Sequence, residues 1–310
     1  MRDEVKLKAQ VQRTVLRETA YNATMRVRCS NGLRVAEYNG SFFQRNSTDL
    51  ELGNVDADKA IGVRIKHDGK LDERHEAYFQ CAILYTTATG ERRVRCHNLA
   101  VPVTNSLTNV FQYADLDSTV AYFAKDVTTL ALSKPLKDVR NYTTEKCVKM
   151  LLSYRRNCAR PASPGILLLP ESYKLFPLYA LAINKLKAIK GGNVTSDVRV
   201  YYMRTLQALG VGQTMALLYP RMIALHTMAD DDGFPIKLAQ PDGSAVDGAR
   251  IKCPPLMRLS YLWMEQHGAY LIDNGDMCLL WLGADANPQL LEDLYGVNSL
   301  DALDPRMVST

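Results

Sequence analysis

Apolar residues recur at every second position from residue 23 to about residue 103, and at every third or fourth from residue 106 to residue 228. A chain whose hydrophobic period switches in this way is neither one continuous sheet nor one helical bundle, because each stretch must bury its own face. In the first stretch the strand candidates are residues 23–29, 33–38, 61–66, 77–86 and 92–101. Turn chemistry joins them at Asn31-Gly32, Asn39-Gly40, Asp68-Gly69 and Thr89-Gly90. Short strands at this spacing, with no long helix between them, predict part of a β-sandwich. Ahead of them, residues 2–20 alternate charged positions with Val5, Leu7, Ala9, Val11, Val15 and Leu16, the pattern of an amphipathic helix.

In the second stretch Leu107, Val110, Phe111 and Ala114 lie at helical spacing, as do Val120, Phe123, Ala124, Val127 and Leu130. Further helices are expected at 137–157, 171–190, 196–209 and 213–226, with breaks at Pro135, Pro161-Ala-Ser-Pro164, Gly191-Gly192 and Gly210-Val-Gly212. Residues 229–255 are acidic and rich in Gly and Pro, and read as a linker with a hairpin at Asp242-Gly243. Strands at 269–273 and 277–282 flank Asn274-Gly275, a strong hairpin dipeptide. A helix follows at 288–294, with Asn287 as its cap and Pro288 at its first position.

Charge is divided unevenly. Residues 1–104 carry 17 Lys and Arg against 13 Asp and Glu, residues 105–229 carry 16 against 7, and residues 230–310 carry 5 against 13. The basic first three-quarters suits an anionic membrane surface; the clusters Arg92-Arg93-Val94-Arg95 and Lys185-Leu-Lys187 with Lys190 read first as solvated strand and helix faces and second as contacts for such a surface. These clusters lack the interleaved aromatics of a nucleic-acid platform, so no nucleic acid is expected. Seven cysteines without a Cys-x-x-Cys spacing read as free thiols of a reducing compartment. No apolar run reaches the roughly 20 residues of a membrane-spanning helix, and the charged start is unlike a signal peptide.

Catalytic and metal signatures are absent. The five histidines are scattered, with no His-x-x-x-His, so no metal site is expected; Asp230-Asp231-Asp232-Gly233 lacks the ligand alternation of a calcium loop and reads as solvated linker. There is no Gly-x-Ser-x-Gly, and Gly210-Val-Gly212 is short of a phosphate loop. No enzyme is expected.

The most informative segment is Thr24 to Val35. Strand alternation sends Arg26 and Arg28 to one face and Met25, Val27 and Cys29 to the other, and Asn31-Gly32 predicts a two-residue hairpin. Two parallel guanidiniums are suited to a carboxylate, though the segment alone reads first as the solvated face of a sheet.

This segment, with Gly40-Ser-Phe-Phe-Gln-Arg45 after it, resembles the cargo-binding adaptor subunit of the COPII inner coat. Further segments match that family in order: Gln80-Cys-Ala-Ile-Leu-Tyr85, Gly90-Glu-Arg-Arg-Val-Arg95, Leu169-Pro-Glu-Ser-Tyr-Lys-Leu-Phe-Pro-Leu178, Ser196-Asp-Val-Arg199, Leu218-Tyr-Pro220, Tyr270-Leu-Ile-Asp-Asn-Gly275 and Leu280-Trp-Leu-Gly283. His67-Asp-Gly-Lys70 is similar to the second of the family's two subclasses.

The resemblance implies a multidomain, mixed fold. Residues 1–22 would be a helix from the end of the trunk region, 23–104 the β-sandwich, 105–229 an all-α helical domain, and 230–310 a linker with a partial gelsolin-like α/β domain. It covers the later part of the family pattern, without the upstream zinc finger and trunk, and implies an unpaired sheet edge because the family's sandwich takes strands from before the trunk. The implied function is a coat adaptor binding cytosolic export signals of transmembrane cargo for endoplasmic reticulum to Golgi transport. Arg26 and Arg28 would clamp acidic residues of the signal, and Leu84 would floor an apolar niche. The implied partners are a GTPase-activating subunit (bound mainly through the trunk), a Sar-type GTPase complex, cargo tails and anionic membrane at endoplasmic reticulum exit sites. No cofactor is expected in this chain. The alternative is the related GTPase-activating subunit of the same coat; an actin-binding protein is a remote third.

Overall fold

Strand β1 (Thr19–Cys29), which carries Arg26 and Arg28, has a hydrogen-bonded neighbour on each side. It follows helix α1 (Glu4–Leu16) and precedes β2 (Leu33–Asn39), β3 (Phe43–Gln44), β4 (Asp49–Asp56), β5 (Gly62–His67), β6 (Glu76–Thr86) and β7 (Arg92–Pro102). The computed structural model describes residues 4–159, 165–239 and 245–303. They form two units, one ending at Thr214 and the other beginning at Met215.

In the first unit a five-stranded sheet has the order β3-β4-β1-β6-β7, and β2 pairs with β5 in a separate two-stranded sheet. Between them lie Ala23, Met25, Leu50, Leu52 and Tyr38, with Val27, Val63, Cys81 and Ile83 packed around. Alternation explains the selection: Met25 and its partners Leu50 and Ile83 lie in one row, and antiparallel partners share a face.

Two expectations are corrected here. Asn31-Gly32 does not close a hairpin between paired strands. Leu33 N–H reaches the Ser30 carbonyl at 3.3 Å, but β1 continues with β6 through Ser30 N–H to the Tyr78 carbonyl at 2.9 Å, and β2 leaves for the other sheet. The turn therefore crosses the sandwich. Gly32 has φ +86°, and a Cβ there would lie 2.8 Å from Leu71 Cδ2, so the position requires glycine. The second correction is β4, absent from the sequence-based strand set; Leu50 and Leu52 point inward from it while Asp49 and Glu51 point out.

The two-stranded sheet covers only part of its neighbour. A 500 Å³ groove lined by Val27, Ile65, Phe79 and Leu99 remains between them. Strand β7 pairs only with β6 among the described residues and is exposed throughout, one of the two edges of the open sheet. The apolar stripe of α1 is exposed as well; the helix is tied down by Arg13 and Arg17, which reach Asp58 at 2.6 and 2.8 Å.

The helical part comprises α2 (Leu107–Gln112), α3 (Leu116–Leu130), α4 (Leu136–Asn157), α5 (Phe176–Lys185), α6 (Ser196–Ala208) and α7 (Val211–Leu218). Helix α3 is central, burying Val120, Ala124 and Val127. The expected helix at 171–190 is split into a 3-10 turn at Glu171–Tyr173 and α5. The break at Pro161-Ala-Ser-Pro164 lies outside the described residues. The buried Asn39 of β2 joins sandwich to helices: Thr129 Oγ1 donates to its Oδ1 at 2.8 Å, and its Nδ2 donates to Tyr122 Oη at 3.0 Å.

The second unit contains β8 (Arg221–Ala224), β9 (Pro235–Ala239), β10 (Ala245–Ile251), β11 (Leu256–Met257), β12 (Ala269–Asp273), β13 (Cys278–Leu282) and α8 (Pro288–Tyr295). A four-stranded sheet runs β11-β8-β12-β13 around Met222 and Tyr270. Residues 221–224, expected inside a helix to 226, are instead strand β8, because Pro220 cannot continue the helix and β12 offers a pairing edge. Asn274 and Gly275 do close β12 onto β13, and Asn287 Oδ1 caps α8 through Gln289 N–H at 2.9 Å. The linker reading of 229–255 is also corrected: β9 and β10 pair, and Lys252 bridges Asp231 at 2.5 Å and Asp232 at 3.2 Å. The hairpin tip at Asp242-Gly243 lies outside the described residues.

Candidate functional site

The outer face of the five-stranded sheet collects the side chains that sequence reasoning singled out. With Met25 and Val27 facing the core, Thr24, Arg26 and Arg28 face outward. Register then fixes their neighbours. Thr24 stands opposite Glu51 and Leu84, with Val94 beyond; Arg26 opposite Asp49 and Ala82, with Cys96 beyond; Arg28 opposite Gln80, with Asn98 beyond. Arg26, Arg28 and Leu84 therefore share one face, in three successive rows about 6.6 Å apart along the strands.

The two arginines differ in state. Arg26 Nε and Nη2 donate to Asp49 Oδ1 and Oδ2, each at 2.5 Å, a bidentate fork. The Arg26 side chain keeps 41% of its exposure and Asp49 keeps 19%. This contact holds the Asp49 carboxyl down at about 2, helped by Asn46, and raises the guanidinium above its ordinary value. Asn46 also fixes the loop end, its Oδ1 accepting the backbone N–H of Thr48 and Asp49 at 2.9 and 2.7 Å. Arg28 is exposed and, among the described residues, has neither ion pair nor hydrogen-bond partner. The expected pair of equivalent clamps is thus one occupied and one open guanidinium.

Leu84 is 37% exposed, and its cross-strand partner Val94 is 65% exposed, giving a two-residue apolar patch on the row beside Arg26. Below it, Gln80 Nε2 donates to Asn98 Oδ1 at 3.1 Å beside Arg28. Sequence reasoning missed Asp49 and Val94. Asp49 lay in an unrecognised strand, although Leu50 and Leu52 alternating with Asp49 and Glu51 signalled it; Val94 was absorbed into a basic cluster. That cluster is partly spent: Arg92 donates to the Asn22 carbonyl at 2.6 Å, and Arg93 pairs with Glu91.

The Sec23/Sec24 beta-sandwich domain matches residues 20–104, and the Sec23/Sec24 helical domain matches residues 115–216. Protein transport protein SEC24 B of Arabidopsis thaliana is 38% identical over 306 residues, 99% of this chain and 26% of that protein. Protein transport protein Sec24C of Homo sapiens is 33% identical over 302 residues, 97% of this chain and 26% of that protein. The crystal structure of the human COPII-coat protein Sec24c superposes with a TM-score of 0.85 at 31% identity, covering 97% of this chain and 38% of that one. The chain belongs to the Sec23/Sec24 family, and its relatives named here are Sec24 proteins. It spans about a quarter of the length of the curated relatives it matches.

Proposed function

We propose that the chain is the part of a COPII coat adaptor that binds cytosolic export signals of transmembrane cargo through the outer face of its five-stranded sheet. The observation that carries this reading is the placement of Arg26, Arg28 and Leu84 on one solvent-facing side of that sheet. Arg28 meets a carboxylate of the signal, a charge-assisted contact worth roughly 1.5–3 kcal/mol. Leu84 and Val94 take an apolar side chain, at about 1–2 kcal/mol for a well-buried one. Arg26, neutralised by Asp49, ties β1 to β4 beside the site. Such a site is weak alone, and many copies on a coat supply avidity.

The adaptor does no chemistry of its own on this reading. It works beside a GTPase-activating subunit and a Sar-type GTPase, peripherally at endoplasmic reticulum exit sites, with residues 230–310 belonging to a gelsolin-like domain. Among the described residues no helix is long and apolar enough to cross a membrane. The GTPase-activating alternative is not favoured, since the relatives named are Sec24 proteins.

A vesicle-budding reaction tests the proposal. Arg28→Ala is expected to abolish packaging of cargo with acidic signals while leaving the chain folded, and Arg26→Ala with Arg28→Ala to do the same. Unchanged packaging by both folded variants would falsify the assignment. The single variant matters because Arg26→Ala also strands Asp49.

A further inference from the structure

The second unit brings His226 together with Glu265 and His267, which lie far from it in sequence. One ligand atom from each of His226, Glu265 and His267 falls within 4.8 Å of the others. His226 occupies the 3-10 turn Leu225–Thr227 that follows β8, while Glu265 and His267 lie in the loop entering β12. Pairing of β8 with β12, Ala224 opposite Tyr270, makes them neighbours. Their separation in sequence explains why histidine spacing gave no hint of a site.

Two of the three donor separations bracket the spacing of ligands around a small cation. Glu265 Oε2 lies 2.9 Å from His267 Nε2 and 3.6 Å from His226 Nε2. Tetrahedral ligands about 2.0–2.1 Å from zinc stand about 3.3 Å from one another, midway between these distances. The support beneath is built. Tyr270 is fully buried, its ring 5.1 Å from that of His226, and its hydroxyl accepts the Glu265 N–H at 2.7 Å. The loop is fixed further by Gly268 N–H on the Glu265 carbonyl at 3.0 Å and Asp285 N–H on the Gln266 carbonyl at 2.9 Å. A Cβ at Gly283 would lie 2.0 Å from the Gln266 carbonyl oxygen, so the loop sits against this backbone without slack.

His226 has the second contact that a ligating imidazole needs. Its Nδ1 accepts the Ala269 N–H at 3.2 Å and lies 3.3 Å from the Ala269 carbonyl. Metal ligation through Nε2 would select the other tautomer, with the Nδ1 proton turned to the Ala269 carbonyl in place of the Ala269 N–H and the Nε2 lone pair facing Glu265. Glu265 and His267 are exposed, which leaves the outer side open to solvent.

We propose that His226, Glu265 and His267 form a binding site for a borderline divalent cation of the zinc class, with a fourth position open to water or another ligand. Two imidazoles and one carboxylate suit zinc and its neighbours, whereas calcium and magnesium favour all-oxygen sets. The site lies in the second unit, whereas the export-signal face lies in the first.

The test uses the full chain and zinc chloride in competition with a chromogenic chelator near neutral pH, with cobalt substitution to report ligand type. The expected result is one zinc per chain, bound at least tenfold more weakly by His267→Ala and by Glu265→Gln, and a cobalt spectrum without thiolate charge transfer. Zinc should raise the unfolding midpoint of the parent chain but not that of His267→Ala, a variant at an exposed position that keeps the fold. Equal zinc affinity in the parent and both variants, no zinc bound by the parent, or a thiolate band placing the metal on cysteine would overturn the proposal.

Discussion

Asp49 grips Arg26 with both carboxylate oxygens at 2.5 Å, across the β1–β4 pair and two residues along β1 from the open guanidinium of Arg28. The carboxyl titrates at about 2 instead of 3.8 because Arg26 hydrogen-bonds its charged form. A depressed acid stabilises the fold fully above its unfolded value and loses that contribution as pH falls through its folded value. Acid unfolding should therefore show a component between about pH 4 and pH 2 that Asp49→Asn lacks. The check is the unfolding midpoint of both chains across that window; parallel curves would contradict it.

The same variant releases Arg26. Asp49→Asn is expected to bind acidic signal peptides more tightly than the parent chain, by about tenfold if the freed guanidinium gains one charge-assisted contact. Equilibrium titration at moderate salt measures this, and a gain that vanishes at high salt identifies it as electrostatic.

Much of this arrangement was legible in the sequence, for local reasons. Arg26 and Arg28 flank Val27 in a strand, so their shared outward face follows from alternation alone, and Leu84 lies on a strand whose own alternation of Cys81, Ile83 and Tyr85 points the other way. Non-local facts were not legible. Asn31-Gly32 reads as a hairpin because turn chemistry reports only the turn; that β2 pairs with β5 depends on β6 already holding β1. The Arg26–Asp49 fork needed strand β4, interrupted by Gly53 and so a weak signal. The meeting of His226 with Glu265 and His267 needed the pairing of β8 with β12.

Signal geometry gives a further prediction. Leu84 lies two rows from Arg28, about 13 Å along the strands, which matches about four residues of extended peptide. Peptides with an acidic residue about four positions from a large apolar one should bind best, and shortening that separation to one should weaken binding several-fold. Leu84→Ala should remove most of this preference while leaving the fold intact. A spacing scan by competition binding reads it.

Away from the site, Lys125 is a stability determinant. Its buried Nζ donates to the carbonyls of Leu206, Gln207 and Leu209 at 3.0, 2.7 and 2.9 Å, closing the end of α6. Lys125→Met leaves those acceptors without a donor and is expected to cost on the order of 3 kcal/mol, read from denaturant unfolding. Burial pulls the amine down from 10.5 to about 8. The unfolded chain then binds more protons between about pH 8 and pH 10.5, so the parent should gain stability relative to the variant as pH rises through that window.

The most direct measurement is the affinity of the full chain for one cargo-tail peptide with a suitably spaced acidic and apolar residue, compared with Arg28→Ala. Specific binding that drops by about tenfold or more in the variant, with unchanged unfolding midpoint, is the predicted result. Equal affinity in the two folded chains would contradict the account.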